Sequence, residues 1–70
     1  MPCILPDGNI TDSAKRILSA ARDNSIEEIS GEANLPLFRV RSSIRELLDA
    51  NLIDEKDGRY STTEEGKNKL

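Results

Sequence analysis

The stretch that decides the fold is Ser25-Ile26-Glu27-Glu28-Ile29-Ser30-Gly31-Glu32-Ala33-Asn34-Leu35-Pro36-Leu37-Phe38-Arg39-Val40-Arg41-Ser42-Ser43-Ile44-Arg45-Glu46-Leu47-Leu48. It opens on a capping box: the Ser25 hydroxyl can accept the Glu28 amide while the Glu28 carboxylate returns to the Ser25 amide. Ile26, Ile29 and Ala33 then share one stripe of a short helix over 26–33. Asn34 has the side chain that tolerates a left-handed helix end, and Pro36 blocks continuation. Pro36 suits the first turn of a new helix, where its missing N–H would have no partner anyway. Leu37, Val40, Ile44, Leu47 and Leu48 fall at roughly 0°, 300°, 340°, 280° and 20° around that helix, at about 100° per residue, and form its core face. Phe38, Arg39, Ser42, Arg45, Glu46 and Asp49 fall on the far side, with Arg41 at the flank. The arginines occupy the N-terminal part of that exposed face and the acids its C-terminal part.

Toward the N-terminus, Ala14, Ile17, Leu18 and Ala21 repeat at helical spacing, with Thr11 or Asp12 as a cap and Asp23-Asn24 as a stop. Residues 1–11, with Pro2, Pro6 and the turn pair Asp7-Gly8, read as an extended arm and turn preceding a domain over 12–70. Toward the C-terminus, Asn51 ends the long helix and Leu52-Ile53-Asp54-Glu55 reads as a strand. Lys56-Asp57-Gly58 is a turn carrying the strongest short hairpin signal, and Arg59-Tyr60-Ser61-Thr62 returns as a second strand. Thr62 or Thr63 then caps a last helix, acidic at its start and basic at its end, as the helix dipole favours. The expected fold is mainly α with a small β-hairpin: a three-helix core, a wing and a short C-terminal helix.

Seventy residues bury too small a core for a deep catalytic cleft, so function is expected on an exposed face. There is no histidine, no glycine-rich phosphate loop and no nucleophile in a motif. The carboxylate pairs fall at helix starts, where dipole stabilisation accounts for them, so an enzyme is not expected. With one cysteine and no histidine, no metal or other cofactor is expected. Cys3 reads as an incidental thiol, with a redox-sensing intermolecular disulfide as the sharper alternative. Apolar runs such as Leu47-Leu48 and Leu52-Ile53 are short, against roughly 20 residues for a bilayer span, so no membrane partner is expected. The start lacks a basic region and its apolar residues are broken by prolines, so no secretory signal is read and a cytoplasmic location is expected.

The net charge is −3, against a simple electrostatic nucleic-acid binder, so distribution has to matter more than the total. Residues 1–35 carry three basic against six acidic side chains, and residues 51–70 four against five. Only 36–50, with Arg39, Arg41 and Arg45 against Glu46 and Asp49, is locally positive.

A short helix, a tight turn and a longer helix form the arrangement that lets a second helix enter a DNA major groove, and the hairpin behind it would be a wing. Ser25 to Ile29, Leu35-Pro36, Val40-Arg41, Arg45 to Ile53, Asp57 to Tyr60 and Thr63 to Lys67 together resemble prokaryotic winged helix-turn-helix transcriptional regulators of the MarR-like and ArsR-like kind. The resemblance covers residues 12–70. Asn34 and Asn51 stand where such domains usually hold glycine, and asparagine is the residue that best replaces glycine at positive φ. Phe38 stands where a small polar residue is more usual; it either packs on the turn or meets a thymine methyl or protein partner.

The resemblance implies a transcriptional regulator bound to double-stranded DNA. Phe38, Arg39, Arg41, Ser42 and Arg45 would face the groove, and Lys56 and Arg59 would reach flanking phosphates from the wing. It disfavours an ArsR-like metal sensor, for want of ligands. The alternative is a winged-helix protein-interaction module in a transcription-related or other multi-subunit assembly, which the net acidity supports. A third reading is a dimerisation or regulatory fragment of a longer protein. Such regulators commonly act as homodimers, and here the arm (Cys3, Ile4, Leu5, Ile10) or the last helix would supply the interface.

Overall fold

The computed structural model describes residues 4–70; the readings placed on Cys3 lie outside the described residues. Four helices and three strands follow in the order α1 (Asp12–Ala20), β1 (Arg22–Asn24), α2 (Ile26–Ala33), α3 (Leu37–Asp49), β2 (Ile53–Lys56), β3 (Arg59–Thr62) and α4 (Glu64–Asn68). The sheet is antiparallel with β3 in the middle, in the order β1-β3-β2.

The capping signals act as expected. Thr11 accepts the Ala14 amide at the start of α1. Both halves of the Ser25/Glu28 box form, with the Ser25 amide donating to Glu28 Oε1 at 2.8 Å. Thr63, rather than Thr62, caps α4. Asn34 ends α2 at φ 56°, and Asn51 follows α3 at φ 61°. Each takes the left-handed turn that glycine makes most easily. Pro36 sits one position earlier than expected, as the residue flanking α3, with φ −61° and ψ 147°. Its carbonyl takes the amides of Arg39 and Val40.

The sheet departs from the expected two-stranded hairpin. Arg22-Asp23-Asn24 does not merely stop α1 but pairs with Tyr60 and Ser61 across a register irregularity, with Asp23 at φ 59°. The Asn24 side-chain amide donates to the Ala20 carbonyl at 2.8 Å, so the same asparagine closes α1 and belongs to the strand. The Thr62 hydroxyl donates to the Leu18 carbonyl at 2.6 Å, binding β3 directly to the end of α1. At the hairpin tip Asp57 has φ 53° and Gly58 has φ 79°. Two successive positive φ values are the signature of the type I′ turn that suits strand twist.

The core lies between the three longer helices and the first residue of β2. Ile17, Leu18, Ile29, Val40, Leu47 and Ile53 are essentially removed from water. Ile10 joins them, and Ile4 pairs with it in an isolated bridge and packs partly on the core, so these two residues are used by the fold itself. Gly66 marks the closest approach of α4, since a Cβ there would overlap the Leu52 carbonyl oxygen.

Candidate nucleic-acid interface

The site is built on α3, and the core sets which way that helix faces. Val40, Ser43, Ile44 and Leu47 are its buried residues, while Leu37 and Leu48 are only half-buried. The buried stripe is therefore turned away from Leu37 and Leu48 toward Ser43, compared with the stripe drawn from apolar residues alone. The periodicity could not show this, because Ser43 is polar. The rotation has a direct effect on the arginines: Arg41, expected at the flank, is exposed, and Arg39, expected on the open face, is half-buried.

Phe38, Arg41, Ser42 and Arg45 all stand exposed on this helix. Arg41, Ser42 and Arg45 line one surface hollow, and Phe38, Arg39, Ser42 and Ser43 line an adjoining one of about 190 Å³. Ser42 belongs to both, which makes the N-terminal two thirds of α3 one continuous surface. Among the described residues neither Arg41 nor Arg45 has an ion pair. The N-terminal end of α3 is held in place by the turn before it. The Ser30 hydroxyl donates to the Leu35 carbonyl at 2.6 Å, and the Leu35 amide returns to the Ser30 carbonyl. The C-terminal end is held from α4: Thr63 Oγ1 donates to the Asn51 carbonyl at 2.8 Å, and Asn51 Nδ2 donates to Glu65.

At the wing the two candidate cations part company. Lys56 ends β2 exposed beside the turn. Arg59 folds back onto β1, with Nε donating to the Asp23 carbonyl at 3.0 Å and standing 3.4 Å from its carboxylate. It is also near enough to the Glu28 carboxyl to help hold it below its ordinary pKa, after the larger effects of the Ser25 amide and hydroxyl. Burial, then Glu55 and Glu27, push the neighbouring Tyr60 phenol up. On the β1 side of the sheet it is Asp23 that engages Arg59.

A third cationic surface lies outside the residues expected to bind. Lys15 and Arg16 from α1 and Arg22 from β1 meet around an open hollow of about 460 Å³, with Arg22 paired to Glu32 at 3.3 Å. Charge counted over residues 1–35 gives a negative total and so misses it, but Lys15, Ser19 and Arg22 repeat at helical spacing, the signal that could have found it; α2 contributes only the acidic Glu32.

Among the described residues no three His, Cys, Asp or Glu side chains are grouped to hold a metal ion. Among them, too, no helix is long and apolar enough to cross a membrane. A family model described as winged helix-turn-helix matches residues 12–70, most of the chain. No curated protein matches the sequence. The chain belongs to the winged helix-turn-helix family, a DNA-binding and typically non-enzymatic fold.

Proposed function

We propose that this winged helix-turn-helix chain is a transcriptional regulator that binds double-stranded DNA with the N-terminal part of α3 in the major groove. The observation that carries the reading is the exposed Arg41-Ser42-Arg45 surface, cationic and free of ion pairs among the described residues, on a helix whose opposite side is locked into the core. Arginine can grip a guanine edge through two parallel hydrogen bonds, and either arginine can instead neutralise a phosphate. Arg39, at the edge of the surface, is placed for backbone phosphates. Lys56 is the wing's contact to the flanking strand, and Arg59 reaches DNA only by leaving Asp23.

A second reading, a protein-interaction module, is favoured by the exposed Phe38 and the net charge of −3. Equilibrium binding to a fluorescently labelled duplex at about 50 mM and about 200 mM salt separates the two. The DNA reading expects binding that weakens steeply with salt and falls about tenfold or more in R41A/R45A. Absence of binding at the lower salt would remove it in favour of the protein partner.

A further inference from the structure

Phe38 lies outside the core and is not among the partly buried residues packed on it. It is 74% exposed, the most exposed of the large hydrophobic side chains among the described residues, and lies in the first turn of α3. The other two, Leu5 at 39% and Leu70 at 55%, lie near the ends of the described chain, whereas Phe38 is in a regular helix fixed by Val40, Ile44 and Leu47. Turning its ring inward would require turning the whole helix. A single exposed hydrophobic residue is ordinary on its own; what singles out Phe38 is that its ring stands on a core-anchored helix in a hollow that adjoins the cationic surface of α3.

The neighbours of the ring restrict what can cover it. Arg39 and Ser42 share its hollow, and Arg41 and Arg45 lie on the same surface. A partner covering Phe38 must therefore be anionic around an apolar point. Duplex DNA meets that description in one way: phosphates line the groove, and the thymine 5-methyl is the apolar group that projects from the base edges in the major groove. First-turn residues of a helix seated there are the ones that reach base edges.

We infer that Phe38 is a specificity residue that reads thymine by packing its ring against the 5-methyl group, while Arg41 and Arg45 hold the surrounding backbone or purine edges. The inference rests on the DNA-binding reading above and deepens it. It assigns the isolated chain a preference for sites in which a thymine lies within reach of the arginine contacts.

The test compares the full chain on two alternating duplexes, poly(dA-dT) and poly(dA-dU). They have the same charge and the same hydrogen-bonding groups and differ by the methyl. Kd is measured at low and moderate salt for the native chain, F38A and F38L. The native chain should bind the thymine duplex about fourfold tighter for each methyl contacted, the fold-change corresponding to burial of one methyl-sized group. F38A should bind both duplexes equally and keep the native salt dependence, and F38L should retain part of the preference.

Equal binding of both duplexes by the native chain, with a steep salt dependence, would overturn the thymine assignment and leave DNA binding standing. A preference that persists in F38A belongs to duplex shape and would overturn it equally. Binding to neither duplex would overturn this inference together with the reading on which it rests.

Discussion

At the scale of single residues, four side chains of similar charge have different tasks because their surroundings differ. Arg41 and Arg45 project from α3 without an ion pair among the described residues, while Arg59 is held by Asp23 and Arg22 by Glu32. Substituting both Arg41 and Arg45 by alanine should weaken duplex binding by about tenfold or more and lower the salt slope by about 2, with thermal stability unchanged. Arg59→Ala should do the reverse. It removes the hydrogen bond to the Asp23 carbonyl and the ion pair beside it, both largely exposed. The loss should therefore be at most about 1 kcal/mol in urea unfolding, with little change in DNA affinity. If R59A instead loses affinity at unchanged stability, the wing contacts DNA through Arg59.

Glu28 offers a test by pH. The Ser25 amide and hydroxyl favour its charged form, so its folded pKa lies below the ordinary 4.5. A carboxyl with a depressed folded pKa adds stability above its unfolded pKa, and that stability is lost as the pH falls through the folded value. The native urea midpoint should therefore drop more than that of Glu28→Gln between about pH 7 and pH values below about 4. Parallel acid limbs for the two proteins would show that the box does not act through the Glu28 charge.

At the scale of elements, two close approaches hold α3 in position. Gly66 lets α4 touch the Leu52 backbone, and Thr63 and Asn51 tie that contact to the end of α3. Gly66→Ala should cost about 1–3 kcal/mol through overpacking, visible as a lowered melting temperature. An unchanged melting temperature would mean that α4 can move off the sheet without penalty.

The elements most legible in the sequence were those with a local cause. The Ser25/Glu28 box, the Asn34 end, the Asp57-Gly58 turn and the bounds of α2 were all visible as residue types at fixed spacings. β1 was not. Arg22-Asp23-Asn24 has no apolar alternation, and it becomes a strand only because β3 arrives beside it from later in the chain. The facing of α3 was half-legible: its apolar residues mark the general side, but the buried Ser43 turns the stripe, and that turn separates Arg41 from Arg39.

At the scale of the whole molecule, an acidic protein presents a small cationic face. The largest share of the net charge of −3 comes from α2, where Glu27, Glu28 and Glu32 have no basic residue among them. The open surface of α3 begins instead with arginines and places Glu46 and Asp49 toward its far end. That helix has 13 residues. At that length it extends about 20 Å, while a major groove is about 12 Å wide, so only an end-first or oblique seating keeps the acids away from phosphate. The fold class was readable from element order alone. The candidate interface was readable in part: its residues on α3 follow from helical spacing, but which way the helix is turned and which arginines other elements engage do not. The cluster of Lys15, Arg16 and Arg22 lies outside the segment that a running charge total marks as positive, although helical spacing brings Lys15 and Arg22 to one side.

The DNA-binding reading and the role inferred for Phe38 both depend on the N-terminal part of α3 being the surface that meets duplex DNA. An NMR titration of the whole chain with an unlabelled duplex at about 50 mM salt, repeated at about 200 mM, observes that surface residue by residue. Amide shifts should concentrate on residues 37–45, with a weaker set at Lys56 and Asp57, and should fade at the higher salt. Shifts centred instead on Lys15, Arg16 and Arg22, or no shifts at the lower salt, would contradict it.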